Sequence, residues 1–229
     1  MTFSVMTLFP EMISSAVGQS ITGRAIQNGI ITVNCYNIRD YSKDKHKRVD
    51  DYPYGGGPGM VMQCQPVYDC FCDIVKDKPV RPHTIYMSPK GKVLTQSRAL
   101  ELSKLDELII LCGHYEGVDQ RVLDEIVDEQ ISIGDYVLTG GELAACVLID
   151  CVARMVDGVL SGPDAFENES HFNGLLEHPQ YTRPEVWHNK SVPQVLIGGN
   201  HKLINEWKRK ESIEQTLKNR PDLLKKQQG

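Results

Sequence analysis

The chain has 229 residues, of which 41% are hydrophobic and 24% charged. That suffices for one large domain, or a main domain with a small appendage, and excludes a globally disordered chain. A formal net charge of −5 excludes the uniformly basic surface of a simple nucleic-acid coat protein.

Phe3 to Phe9 alternates and stops at Pro10, which predicts a first strand turning into a helix. Ile30 to Ile38 is β-branched and aromatic and predicts a second strand. Arg39 to Gln63 is a long polar stretch with four glycines and two prolines between Pro53 and Gly59. No regular element is expected there, and a loop of that length points to function. Pro66 to Lys76 predicts a helix, His83 to Met87 a short strand closed by Ser88-Pro89, and Thr95 to Ser103 another helix. Glu107 to Cys112 is almost uniformly apolar, as a buried parallel strand is. Asp119 to Val127 predicts a helix with an aspartate N-cap, and Gln130 to Ile133 a strand ending near Gly134. This alternation predicts an α/β layer fold.

Glu142 to Val156 is apolar nearly all round, so a helix there is buried on most faces and needs a second covering surface. A homodimer is the expected source of that surface. Ser161 to Asn173 reads as a polar linker broken at Gly162-Pro163. Helical patterning returns from Trp187, with a late start at Arg220-Pro221. The expected organisation is a main domain over 1–160, a linker over 161–174 and a small C-terminal helical domain over 175–229.

No apolar run reaches the ~18 residues that span a membrane. The start MTFSVMTLFPEM lacks the basic and apolar regions of a signal peptide. The seven cysteines form no CxxC pair, and several sit in apolar runs, which fits reduced thiols in a cytoplasm. Cys70 and Cys72 lack a second Cys/His pair at zinc spacing, so no metal is expected.

The charge is unevenly spread. Arg39 to Arg48 carries five basic and two acidic residues, and Lys202 to Gly229 eight basic and four acidic. Glu101 to Glu169 carries sixteen acidic and three basic residues. Two basic islands flank an acidic middle.

Ligands of open α/β sheets bind outside the carboxyl ends of the strands. Three such ends carry glycine or a turn: 86–89, 113–117 and 133–141. Neither the GxGxxG of a dinucleotide site nor the Gly-Lys-Ser/Thr of a phosphate loop is present. A nucleoside-like ligand held without a phosphate cradle is indicated, and S-adenosylmethionine fits. Asp150 and Arg154 stand four apart on the apolar helix, either as a mutual ion pair or as part of an active site. His46 and His83 read as surface residues, and His114 lies within a ligand loop.

The segments FSVMTLFPEM, DDYPYGGGPGMVM, YMSP, LCGHYEGVDQRV, SIGDYVLTGGELAA, GLLEHPQYTRPEVW, VPQVLIGGNHKLINEWK and RPDLL run through almost the whole chain. Together they resemble the bacterial tRNA (guanine-N1)-methyltransferase family, TrmD, of the SPOUT superfamily. The resemblance implies an α/β fold with a mostly parallel sheet, flanking helices and a deep trefoil knot. It also implies an obligate homodimer, S-adenosyl-L-methionine as cofactor, and tRNA bound by its anticodon arm and methylated at guanine 37. By the same resemblance the cofactor is held by Tyr86, Ser88, Pro89, Gly113, Tyr115, Glu116, Ile133, Gly134, Asp135, Tyr136, Val137, Leu138, Gly140 and Gly141. Arg154 matches the family's catalytic arginine. The family's base is an aspartate followed by Ser-Phe; Glu169, followed by Ser170 and His171, stands there instead. Glu169 keeps a carboxylate with one more methylene, and His171 is a second candidate base. Asp50 matches the position that reads the preceding guanine. Arg48, Gly55, Gly59, Lys208, Arg209 and Lys210 are expected on the tRNA side, the cations meeting phosphates. Three readings stay open beside this one: a knotted methyltransferase of another RNA base, a catalytically silent RNA-binding relative, and a metabolic nucleotide-binding enzyme, the last weakened by the missing phosphate loops.

Overall fold

The apolar runs at the amino terminus and at Glu107–Cys112 become neighbours at the centre of a five-stranded sheet in the computed structural model, which describes residues 1–162, 166 and 169–225. The strands are β1 (Thr2–Thr7), β2 (Thr32–Asn37), β5 (His83–Val93), β6 (Glu107–Cys112) and β7 (Glu129–Ser132), in the order β2-β1-β6-β5-β7. Every pairing in this sheet is parallel. Residues of β6 alternate between two cores. Leu108, Ile110 and Cys112 face one cluster, and Ile109 and Leu111 the other. A strand covered on both faces must be apolar throughout, which is why Glu107 to Cys112 shows no polar alternation.

Helices α1 (Pro10–Val17), α2 (Ser20–Gln27), α4 (Gln96–Leu102) and α6 (Glu142–Ala153) contribute to the first core. Helices α3 (Cys64–Val75) and α5 (Gln120–Ile126) contribute to the second. Local chemistry sets their ends. Pro10 starts α1, the Thr95 hydroxyl accepts from Arg98 N at the head of α4, and the Asp119 carboxylate accepts from Arg121 N at the head of α5. The Arg121 guanidinium beside Asp119 also holds that carboxyl well below the usual carboxylate range. All seven cysteines are free. Burial pushes the Cys70 and Cys112 thiols up, so both pack as small hydrophobes.

The structure corrects several expectations. The stretch 39–63 is not devoid of regular structure. A 3-10 turn spans Ile38–Tyr41, and β3 (Asp50–Asp51) pairs antiparallel with β4 (Val61–Met62). Val49 and Met62 are fully buried there, two apolar anchors in an otherwise polar segment. Ser88-Pro89 does not close β5; the strand runs on to Val93 past a register break between Met87 and Lys92. Pro89 cannot donate to a ladder and lies within that break. His83 is not a surface residue. It is half-buried, with Nε2 2.8 Å from Glu129 and Nδ1 3.7 Å from Asp128.

The chain divides into two compact units, Met1–Ser161 and Gly162–Gly229. In the second unit, Trp187 begins no helix but ends β8 (Val186–Trp187), which pairs with β9 (Lys190–Ser191). His188 and Asn189 both take positive φ, the requirement of a tight two-residue hairpin turn. Helices α7 (Gln194–Ile197), α8 (His201–Asn219) and α9 (Pro221–Lys225) follow. The Thr216 hydroxyl of α8 accepts from Leu176 N at 2.9 Å and ties the helix to its own unit. Of the predicted linker, 163–165 and 167–168 lie outside the described residues, as do 226–229 at the chain end.

Ile110 is 0% exposed at the middle of the sheet. Ile110→Ala is expected to cost about 2–5 kcal/mol in urea-induced unfolding, because a packed parallel sheet relaxes little around a cavity.

Candidate functional site

β5, β6 and β7 bring their carboxyl ends side by side. The segments 86–90, 113–118 and 130–141, short of residue 135, wall a cavity of about 270 Å³. The volume is near the lower end for small-molecule clefts. The wall closes because the chain after β7 returns to the end of β6. Gly141 N donates to Gly113 O at 2.8 Å, and His114 and Gly140 form an isolated antiparallel bridge. A Cβ on Gly141 would lie 2.9 Å from Cys112 Cα and 3.0 Å from Gly113 N, so only glycine permits this approach.

A buried carboxylate secures the return. Glu142, the first residue of α6 and 2% exposed, accepts from the Thr7 hydroxyl at 2.8 Å. The same hydroxyl accepts from Phe9 N at 2.9 Å. The end of β1 and the start of α6 therefore share one hydrogen-bonded unit, with the negative charge at a helix N-terminus where it is favoured.

The interior of the cavity is largely uncharged. Burial raises the Tyr86 hydroxyl above its ordinary pKa, so it stays protonated at neutral pH. Two buried polar atoms of lining residues, His114 Nδ1 and Gln130 Oε1, have no hydrogen-bond partner among the described residues. The His114 ring lies 5.2 Å from Phe9 and 4.9 Å edge-on from Tyr115. At the rim Tyr115, Glu116, Tyr136, Val137 and Leu138 are exposed. Ser88, Pro89, Ile133 and Gly134 also line the cavity, whereas Asp135 is exposed and not part of its wall.

The glycine-rich loop rests directly on this site. Glu116 N donates to Met60 O at 3.0 Å, Met62 N to Gly117 O at 2.9 Å, and Asp119 N to Met62 O at 3.0 Å. Gly59 takes φ +86, and a Cβ there would lie 2.5 Å from Glu116 Cγ, so the glutamate stem occupies the space that a side chain would need. Gly55 also takes positive φ, in open space. Arg39 Nη2 donates to Tyr115 Oη at 3.3 Å and links the first basic island to the cavity rim. Asp50 is half-buried in β3. Arg48 is exposed and pairs with Asp44 at 2.9 Å, which holds the Asp44 carboxyl down at about 2.

The remaining candidates fall elsewhere. Arg154 is half-buried at the C-cap of α6, and its backbone N donates to Asp150 O at 3.2 Å. Leu143, Val147, Asp150 and Arg154 follow helical spacing on one stripe; Leu143 is 53% and Val147 47% exposed, so α6 is less covered within one chain than its composition predicts. Glu169 is half-buried in a turn of the second unit, where its N donates to Phe166 O at 3.1 Å. His171 is exposed with φ 74, and its N donates to Leu175 O at 2.9 Å. On α8, Lys208 is half-buried, Arg209 exposed, and Lys210 lies 3.6 Å from Glu214. Sequence reasoning missed Thr7, Glu142 and Gln130. For Gln130 the period of two was available, since its neighbour Ile131 had to face a core.

Residues 1–226 match the family model described as tRNA (Guanine-1)-methyltransferase TrmD. A tRNA (guanine-N(1)-)-methyltransferase of Ruminiclostridium cellulolyticum is 59% identical over 99% of this chain and 97% of its own. Proteins of the same name from Alkaliphilus oremlandii and Clostridioides difficile are 58% and 53% identical, covering 98% and 99% of this chain and 92% and 98% of their own.

Thr7→Val keeps the side-chain shape and removes the donor to Glu142. It is expected to lower unfolding stability by about 1–3 kcal/mol, because a buried carboxylate loses its partner. Equilibrium denaturation measures this; a loss under about 0.5 kcal/mol, the range of an ordinary surface change, excludes the anchor.

Proposed function

Because the chain belongs to the tRNA (guanine-1)-methyltransferase TrmD family, we propose that it methylates N1 of guanosine 37, beside the anticodon, when a guanosine precedes it, with S-adenosyl-L-methionine as donor. The observation that carries this reading is the cavity at three parallel strand ends, with five glycines in its wall. The residues present fit the cofactor. The buried His114 Nδ1 and Gln130 Oε1, without a hydrogen-bond partner among the described residues, belong to residues of the wall, and Gly141 brings two backbone segments together where a flat base and ribose need close approach. The cofactor supplies an electrophilic methyl group on a cationic sulfonium. Tyr86, Ser88, Pro89, Gly113, Ile133, Gly134, Leu138, Gly140 and Gly141 hold it in the cavity, while Tyr115, Glu116, Tyr136 and Val137 close the rim.

The nucleophile is guanine N1, which carries a proton and attacks only once that proton is removed. Glu169 takes it as general base, and its half-buried setting suits a carboxylate that must meet a substrate. Electron density then builds on guanine O6, where the Arg154 guanidinium supplies charge and hydrogen-bond donors. Asp50 reads the preceding guanine. Gly55 and Gly59 let the RNA backbone approach, and Arg48, Lys208, Arg209 and Lys210 meet phosphates. An enzyme acting on a ring nitrogen must also unstack the target base.

The return of 133–141 across β6 is read as the family's trefoil knot; the Gly141–Gly113 bond and the Thr7–Glu142 anchor support it. A second copy of the chain is the proposed cover for the Leu143–Val147 stripe, which makes the protein a homodimer. The methyltransferase domain spans 1–160, with a linker over 161–174 and a helical tRNA-binding domain over 175–229. No helix among the described residues is long and apolar enough to cross a membrane. The proposed location is the cytoplasm, where a tRNA substrate is met.

Mass mapping of unmodified tRNA after incubation with protein and S-adenosylmethionine is expected to give 1-methylguanosine at position 37. A methyl group on another base supports the other knotted enzyme, and none at all the silent RNA-binding relative. Glu169→Gln is expected to lower single-turnover transfer by about 10²–10⁴-fold with cofactor affinity retained. His171→Gln should change it little, and the reverse pattern would move the base to His171. Replacing Lys208, Arg209 and Lys210 by glutamine should weaken tRNA binding and flatten its salt dependence; an unchanged slope removes α8 from the interface.

A further inference from the structure

The two tryptophans of the chain are used differently. Trp207 is half-buried, its ring 6.1 Å from His178 and 6.2 Å from Tyr181. Trp187 is 60% exposed, and its one ring contact among the described residues is with its neighbour His188, at 4.3 Å and an interplanar angle of 36°. It ends β8, directly opposite Lys190 of β9. Side chains directly opposite on a ladder share a face, and successive ones alternate. Trp187 and Lys190 therefore lie on one face of the hairpin, and Val186 and Ser191 on the other. Val192 N adds a further bond to Glu185 O at 2.9 Å, and a two-residue turn leaves no slack between the strands. Every residue from Gln180 to Ser191 is exposed, so the second unit leaves the hairpin uncovered.

Charge and area choose the occupant. Between Thr182 and Ser191 the cations Arg183 and Lys190 stand against one carboxylate, Glu185. Neither cation has an ion pair among the described residues. Each face of the hairpin presents a single large apolar side chain, Val186 on one and Trp187 on the other. That is too little apolar surface for a protein partner to bury, yet one indole face matches one nucleic-acid base. A paired RNA helix keeps its base faces stacked, so only an unpaired base has a face to offer. We propose that the β8–β9 hairpin is a nucleotide-binding surface, with Trp187 stacking on an unpaired base of the tRNA substrate and Lys190 meeting an adjacent phosphate. The inference rests on the tRNA reading above and deepens it, adding a stacking contact to the phosphate contacts assigned to α8.

The test titrates unmodified tRNA transcript into the full chain at several salt concentrations and follows both affinity and tryptophan emission. Stacking on a base quenches an indole, so the wild type is expected to dim as tRNA binds, and a fully paired RNA of equal length should not dim it. Trp187→Phe leaves Trp207 as the reporter. It should lose most of the quench yet bind tRNA nearly as well, because a ring remains to stack. Trp187→Ala should weaken binding by about 5- to 100-fold without changing the salt slope. Lys190→Gln should weaken it less and lower the slope by about one. A quench that persists in Trp187→Phe, or a loss under about twofold in Trp187→Ala, overturns the inference while the tRNA reading stands. So does a change in the sedimentation of Trp187→Ala with its tRNA affinity intact, which would assign the hairpin to a second copy of the chain. A wild type that does not bind tRNA at all overturns the tRNA reading and this inference with it.

Discussion

One buried contact organises the molecule: the Glu142 carboxylate held by the Thr7 hydroxyl, beside the Gly141–Gly113 backbone bond. A charge that is 2% exposed is expensive unless it is hydrogen-bonded and favourably placed. Here the helix N-terminus and a hydroxyl from β1 meet both conditions. In exchange the first turn of α6 is fixed against the central strands. The segment between β7 and α6 has both ends set, β7 by its ladder with β5 and α6 by this anchor, and can only cross the end of β6. The cavity is a consequence of that constraint. Where its wall closes, at Gly141 against Cys112 and Gly113, the two chain segments approach too closely for a side chain.

The same economy joins the glycine-rich loop to the cavity. Met60, Met62 and Gly59 lie on the 113–118 turn through backbone hydrogen bonds and through the stem of Glu116. A displacement of the loop must move Glu116 or break those bonds. Arg39 adds a side-chain link to Tyr115, whose backbone is held at φ 58. A ligand at the loop and a ligand in the cavity thus act on one piece of structure. That is the minimum physical basis for one to sense the other.

Much of this was legible in the sequence where one dominant force decides. β6 was readable because a strand buried on both faces must be apolar, and α5 because Asp119 is a strong cap. The three strand ends that wall the cavity were readable as a candidate site because parallel sheets bind at carboxyl ends. What failed depends on partners distant in sequence. β5 was cut short at Ser88-Pro89 because proline normally ends a strand, yet Lys92 and Val93 recover pairing with β7. His83 looked solvated because its chain neighbours are polar; its true neighbours are Asp128, just before β7, and Glu129, the first residue of β7. Trp187 looked helical because the hairpin turn His188-Asn189 carries none of the glycine that usually marks such turns. Thr7 and Glu142 stand 135 positions apart and no local pattern connects them.

Charge is the last case where a sum misleads and a position informs. The net −5 conceals a basic segment at 39–48, and within it the structure pairs Lys43 with Asp69, Lys47 with Asp40 and Arg48 with Asp44. The cations of these pairs are 81%, 62% and 70% exposed, so each pair is worth little in water. Such pairs give up their cations cheaply to a polyanion, since each phosphate neutralised also releases counterions. The carboxylates that remain still oppose indiscriminate binding of any nucleic acid. Selectivity must then come from contacts that fit rather than from charge. A chain with a net negative charge and weakly held surface cations is therefore suited to meeting one RNA site while declining the rest, which a uniformly basic surface cannot do.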